Sequence, residues 1–131
     1  MEEMKLNNTK WLNKRYDCEC RIIYYETFNG THYHKHWIEY DDQGRKISYR
    51  DTYGSSTKYT YIDNKQMIID DIKENGSHYH TIAKLNGDPI IETIYCTDGR
   101  ILIRDYTKRN RYRMYIETVK YNPFLYNFNN I

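Results

Sequence analysis

Turn residues recur at a nearly constant interval along this chain, and that interval restricts the fold more than any other feature. Gly30, Gly54, Gly76 and Gly99 are separated by 24, 22 and 23 residues. A second series lies between them, spaced by 21, 22 and 23 residues, and consists of Gly44, Lys65, Gly87 and Asn110. Two turns per period leave two short strands per period. The spacing therefore predicts consecutive antiparallel hairpins.

The stretches between the turns alternate with a period of two residues, as strands do. Tyr59 and Tyr61 share one side of their stretch, opposite Lys58 and Thr60. Composition agrees, because 16 Tyr and 16 Ile stand against a single Ala, and Ile and Tyr favour strands. We expect about nine strands, near 20–28, 32–41, 45–52, 57–62, 66–73, 78–85, 89–96, 101–106 and 112–119.

The predicted fold is an all-β antiparallel meander built from four hairpin repeats of about 22 residues. A meander of nine strands leaves an apolar face exposed, so we expect it to curl into a barrel-like or two-layer sheet. The length of 131 residues suits one domain. Within it we expect an N-terminal arm or short helix over 1–16, the hairpin repeats over 17–119 and an aromatic C-terminal tail over 120–131.

One part of the chain resembles a known repeat. The residues are Tyr40-Asp-Asp-Gln-Gly44-Arg45, then Asp51-Thr-Tyr-Gly54, then Tyr59-Thr-Tyr61. This run resembles the YD repeat of Rhs-type proteins and the tyrosine-rich β-hairpin repeats of small phage proteins. The resemblance implies a fold of β hairpins and a viral or phage source. It transfers no active site, and four units are too few for the closed shell that large YD-repeat proteins form.

The overall composition bears on source and location. The 16 Tyr, 16 Ile and 12 Asn have codons rich in A and T, which is frequent in viral genomes. No apolar run approaches the roughly 20 residues of a membrane span, and the first residues do not resemble a signal peptide. We therefore expect a chain that acts in the cytoplasm, the host cytoplasm if it is viral. A net charge of +2 excludes a mimic of DNA, which has to be strongly acidic.

Two near-identical segments contain four of the five histidines. They read Asn29-Gly-Thr-His32-Tyr-His34 and Asn75-Gly-Ser-His78-Tyr-His80. A His-x-His pair on a strand can chelate zinc, nickel or copper, so these four histidines are candidate ligands. The two strands stand four positions apart in a meander, which argues against one shared site. We expect neutral, half-buried strand residues, no essential metal centre and no cofactor.

Cysteines and catalytic motifs add little. Cys18 and Cys20 are expected to point the same way on a strand, far in sequence from Cys96, and thiols of a cytoplasmic chain usually stay reduced. No nucleophile elbow, phosphate loop or metalloprotease motif is present in the sequence. We therefore expect no catalytic residue and no enzyme activity.

Positive charge and aromatic residues gather near the C-terminus. We predict that the partner binds there, through Arg104, Tyr106, Lys108, Arg109, Arg111, Tyr112, Arg113, Phe124 and Tyr126. An alternative binding face consists of His32, His34 and Trp37. The aromatic tail should pack on the sheet or on another chain, so it is a candidate contact for a homo-oligomer.

Two functions from different classes fit these patterns. The first is a non-enzymatic protein-binding module of viral type, such as an inhibitor of a host defence complex or of a host enzyme. Tyr, Trp and Arg dominate the energetics of protein interfaces, and the chain is rich in Tyr. The alternative is a single-stranded nucleic-acid-binding protein that uses the basic hairpin over 104–113. Neither function involves a membrane.

Overall fold

The computed structural model describes residues 10–108, 111 and 114–121, and every regular element in these ranges is a β-strand. The strands are β1 (Leu12–Tyr16), β2 (Ile22–Phe28), β3 (Tyr33–Tyr40), β4 (Lys46–Asp51), β5 (Ser56–Tyr61), β6 (Gln66–Ile72), β7 (His78–Lys84), β8 (Pro89–Tyr95), β9 (Arg100–Asp105) and β10 (Ile116–Tyr121). They belong to one sheet in which strand order equals chain order. The prediction of an all-β antiparallel meander is confirmed.

Two details of the predicted architecture are wrong. The sheet is not closed into a barrel, because β1 and β10 stand at opposite ends of the strand order. The strand count is ten rather than nine because Leu12–Tyr16, expected to form an arm or short helix, pairs with β2.

The turn before β2 explains why β1 escaped prediction. In the turn after β3, Asp41 accepts hydrogen bonds from the backbone N–H groups of Gln43 and Arg45, at 2.9 Å each. Gly44 completes that turn with a left-handed φ of 81°. Asp17 caps the turn between β1 and β2 in the same way, but the left-handed position is held by Cys20, with φ of 66°. A search for turn glycines therefore misses it.

The chain divides into two compact units, Met1–Ser56 and Thr57–Ile131, called unit 1 and unit 2 below. In unit 1 the most buried residues are Tyr24, Tyr25, His36 and Ile38. In unit 2 they include Met67, Thr81, Ala83 and Ile94. No large side chain in the described part of the chain is fully buried, so neither unit has a thick core.

Among the described residues, no helix is long and apolar enough to cross a membrane.

Candidate functional site

One side of the sheet in unit 2 carries a continuous group of isoleucines. Ile68, Ile82 and Ile91 lie directly opposite one another on β6, β7 and β8, and directly opposed residues share a side. Ile101 and Ile103 of β9 lie on that same side, opposite Tyr95 and Thr93 of β8. We call these five residues the isoleucine face: Ile68, Ile82, Ile91, Ile101 and Ile103.

The two sides of this sheet are covered to different extents. Met67, Ala83 and Ile94 point to the opposite side and are only 7%, 0% and 2% exposed. Every residue of the isoleucine face is half-buried instead. The side of the sheet that carries the isoleucines therefore has apolar surface that a partner could bury.

Three polar side chains lie within the same side of the sheet. Asp70 of β6 faces His80 of β7, and His78 stands two residues before it on that side. One carboxylate oxygen, Asp70 Oδ1, lies 3.0 Å from His78 Nε2 and 2.6 Å from His80 Nδ1. Since a carboxylate oxygen only accepts, both ring nitrogens donate to it. We call these residues the Asp70 cluster.

The electrostatics of the Asp70 cluster favour the ionised carboxylate. Partial burial alone would raise the pKa of Asp70, but the hydrogen bonds from His80 and His78 outweigh it, so this pKa lies below its ordinary value. All three side chains remain about one-third exposed. The cluster is therefore ordered by hydrogen bonds and still reachable from solvent.

The first His-x-His pair has no such carboxylate opposite it, and its hairpin pairs in a different register. The backbone N–H of Asn29 bonds to His32, whereas that of Lys73 bonds to Ser77, so the second turn begins two residues earlier in the near-identical segment and contains one more residue. As a result His34 lies opposite Thr27, seven residues before it, while His80 lies opposite Asp70, ten residues before it.

The side chains of the first pair have other partners. The Asn29 amide lies 3.4 Å from His34 Nε2, and the ring of His34 stacks on Tyr53 at 3.6 Å. The ring of His32 lies 3.1 Å from the Thr31 hydroxyl.

The fifth histidine, His36, belongs to a buried polar network in unit 1. Its ring nitrogens lie 2.9 Å from Thr27 Oγ1 and 2.8 Å from the Tyr49 hydroxyl. Tyr49 in turn donates to Asp51 at 2.8 Å. Burial lowers the pKa of His36, and burial together with the bond to Asp51 raises the pKa of Tyr49. These hydrogen bonds connect side chains of β2, β3 and β4.

The alternative binding face is not assembled as predicted. Trp37 lies beneath the Arg50 guanidinium, 4.1 Å away, and opposite Tyr24. His34 is three residues away on the same strand, so its side chain points to the other side of the sheet. Because of this alternation Trp37 and His34 do not share a face.

Arg104 of the predicted basic surface is engaged within the sheet. Its Nη1 lies 3.4 Å from a Glu92 oxygen, and its Nε lies 3.7 Å from a Glu117 oxygen. The guanidinium also stacks on the Tyr115 ring, while Tyr106 donates to Glu92. Two carboxylates neutralise this arginine, so it offers little net charge to a phosphate.

The other predicted contact residues are only partly described. Lys108 and Arg111 are exposed. Outside the described residues lie Arg109, Tyr112, Arg113, Phe124 and Tyr126, together with the tail beyond Tyr121.

The cysteine prediction is also corrected. Cys18 and Cys20 are exposed and lie in the turn between β1 and β2, not on a strand. The capping bonds of Asp17 form this turn, which shortens β2 at its start.

Sequence reasoning missed Asp70 and the isoleucine face. Asp70 lies ten residues before His80, and only the pairing register brings them together. The isoleucines were visible as a strand signal, but the pattern did not show which side remains accessible. The position and length of the turn are the signal that could have located Asp70, since together they determine which residues face each other.

Comparison with known proteins yields no relative. No protein family model, no curated protein and no solved structure matches this chain.

Proposed function

We propose that this protein is a non-enzymatic binding module that docks another protein on the isoleucine face of unit 2. The observation that supports it is the row of Ile68, Ile82 and Ile91 across three neighbouring strands, half-buried on one side of the sheet. Burying such side chains releases about 25 cal/mol per Å² of apolar surface. A partner with an apolar centre would gain this free energy.

Charge favours a protein over a nucleic acid as the occupant. The isoleucine face contains no cation, and Arg104 lies on the other side of the sheet, paired with glutamates. A nucleic acid needs several Lys or Arg side chains for its phosphates. The centre of the face is apolar and uncharged, as the buried centre of a protein interface is.

Charged side chains of both signs lie on the same side of the sheet as the isoleucines. Lys84 and Lys120 lie at the margin together with Asp105, and Asp70 lies on that side as well. These four charges cancel, so this side offers phosphates no net positive charge.

Site-specific photo-crosslinking tests the proposal. A photoreactive phenylalanine analogue replaces Ile82 in the full chain, which is produced in cells that naturally make it. The matched control replaces Ile62, which is 51% exposed in the turn after β5 and lies outside the face. We expect a discrete protein adduct from position 82 and none from position 62.

Other outcomes would contradict the proposal. An adduct with the mass of two chains would identify a second copy, and an adduct removed by nuclease would identify a nucleic acid. Equal adducts from both positions, or none from position 82, would remove the isoleucine face as the docking surface. Circular dichroism of both variants checks that the sheet is formed.

A further inference from the structure

We propose that Asp70, His78 and His80 form a binding site for a divalent transition metal ion of the zinc class. Among the described residues they are the group of three that brings metal-ligating atoms together, all within 4.8 Å of one another. Two imidazoles and one carboxylate are ligands that Zn²⁺, Co²⁺ and Ni²⁺ accept readily, whereas Ca²⁺ and Mg²⁺ prefer oxygen alone.

Rotation of the three partly exposed side chains is needed to hold the ion. Tetrahedral zinc, with bonds of about 2.0–2.1 Å, separates its ligand atoms by about 3.4 Å. Asp70 Oδ1 lies 3.0 Å from His78 Nε2 and 2.6 Å from His80 Nδ1, and all three ligand atoms lie within 4.8 Å of one another. The two oxygen–nitrogen distances therefore have to open. The ion takes the place of the two N–H protons that now point at the carboxylate, and in each neutral ring that proton moves to the other nitrogen.

The strands place these ligands before any metal arrives. His78 and His80 are two residues apart, so their side chains lie on the same side of β7. Asp70 of β6 lies directly opposite His80. A preorganised set of this kind loses little conformational freedom when it binds. These side chains are about one-third exposed, so the fourth position of the ion stays open to water or to an outside ligand, as in an accessory site and not one needed for folding.

The chain contains its own control for this proposal. His32 and His34 repeat the His-x-His spacing in almost the same sequence, but in the register of their hairpin His34 faces Thr27 and not a carboxylate. If spacing alone were sufficient, both pairs would bind metal equally. If the carboxylate and register matter, only the second pair binds tightly.

Titration of the metal-stripped full chain with zinc chloride alone tests the site, by calorimetry and by competition with a chromophoric chelator. We compare the unmodified chain with Asp70→Asn, His80→Gln and His34→Gln. We expect one tight site per chain that His34→Gln retains. Loss of a group that only orients a metal ligand costs about 10- to 100-fold in affinity. Asp70→Asn and His80→Gln remove a ligand itself, so each should weaken zinc binding by at least that factor.

A second readout keeps the result interpretable. Cobalt(II) should give the intense visible absorption of a low-symmetry site in the unmodified chain and in His34→Gln, and lose it in the other two variants. Circular dichroism confirms folding. Absence of tight binding, or equal weakening by His34→Gln and His80→Gln, would overturn the proposal. The experiment uses metal alone, so its outcome is independent of the docking surface proposed above.

Discussion

At the scale of single residues, Cys20 stands out because it occupies a position that suits glycine. Its φ of 66° lies in the left-handed region, which costs an ordinary residue about 1–2 kcal/mol. The equivalent position in the turn after β3 is Gly44. The capping bonds from Asp17 hold the turn in place and offset this strain.

The first prediction is that Cys20→Gly stabilises the protein. Relief of the left-handed strain exceeds the entropy that glycine adds to the unfolded chain, so the free energy of unfolding should rise by about 1 kcal/mol. Urea denaturation measures it. The control is Cys18→Gly, in the same turn but without a left-handed φ, which should be neutral or destabilising. Equal effects of the two substitutions would show that Cys20 is not strained.

The second prediction concerns pH and His36. Burial holds the pKa of His36 below its ordinary value of 6.5, so between these two values the unfolded chain binds more protons at this site. The contribution of His36 to stability is complete above pH 6.5 and is lost as the pH falls through that window.

Urea denaturation from about pH 7.5 to 5 measures the effect, because carboxylates with lowered pKa values change the stability mainly below about pH 5. The unmodified chain should lose stability as the pH falls, and His36→Gln should show a flatter profile. Tyr33→Phe, at a residue 60% exposed on the same strand, serves as the control and should keep the original slope. A steep profile in His36→Gln would assign the loss to another group.

At the scale of elements, the strands were predictable and two features of the turns were not. Alternation and turn glycines placed β2 to β9 within about two residues, because both signals come from neighbours in sequence. β1 was missed because Cys20 took the place of a glycine. The Asp70 cluster was missed because two segments of near-identical sequence pair in registers that differ by three residues. The turn before β7 begins two residues earlier in its segment and contains one more residue, so His80 and His34 face different partners.

The third prediction belongs to β8, β9 and β10, where Arg104 lies between Glu92 and Glu117. The side chains of these glutamates are only 17% and 20% exposed. Arg104→Met would leave two half-buried carboxylates without their cation, so we expect a loss of about 1–3 kcal/mol in the free energy of unfolding.

A rescue experiment separates charge from packing. Adding Glu92→Gln and Glu117→Gln to Arg104→Met should restore most of the stability, because the repulsion is then removed. Lys58→Met, at an exposed position of β5, is the matched control and should stay within about 0.5 kcal/mol of the unmodified chain. If the triple variant is as unstable as Arg104→Met, packing of the arginine on Tyr115 is the main contribution.

At the scale of the whole molecule, net charge and the placement of cations predict how binding responds to salt. The chain carries only +2, and the isoleucine face has lysines at its margin alone. Crosslinking from position 82 should therefore change by less than about twofold between 50 and 200 mM salt. A nucleic-acid interface with 6–10 phosphate contacts would lose about 10³- to 10⁵-fold in affinity over that range. A steep loss would favour the basic hairpin over the isoleucine face.

The identity of strand order and chain order has a consequence for how the chain reaches its fold. Each strand pairs with the next one along the chain, so no pairing has to wait for a distant segment to be synthesised. Closing short loops costs little entropy, and sheets dominated by local pairing fold fast for their class. A nascent chain can therefore add one hairpin at a time as it leaves the ribosome, with each new strand extending an edge that already exists.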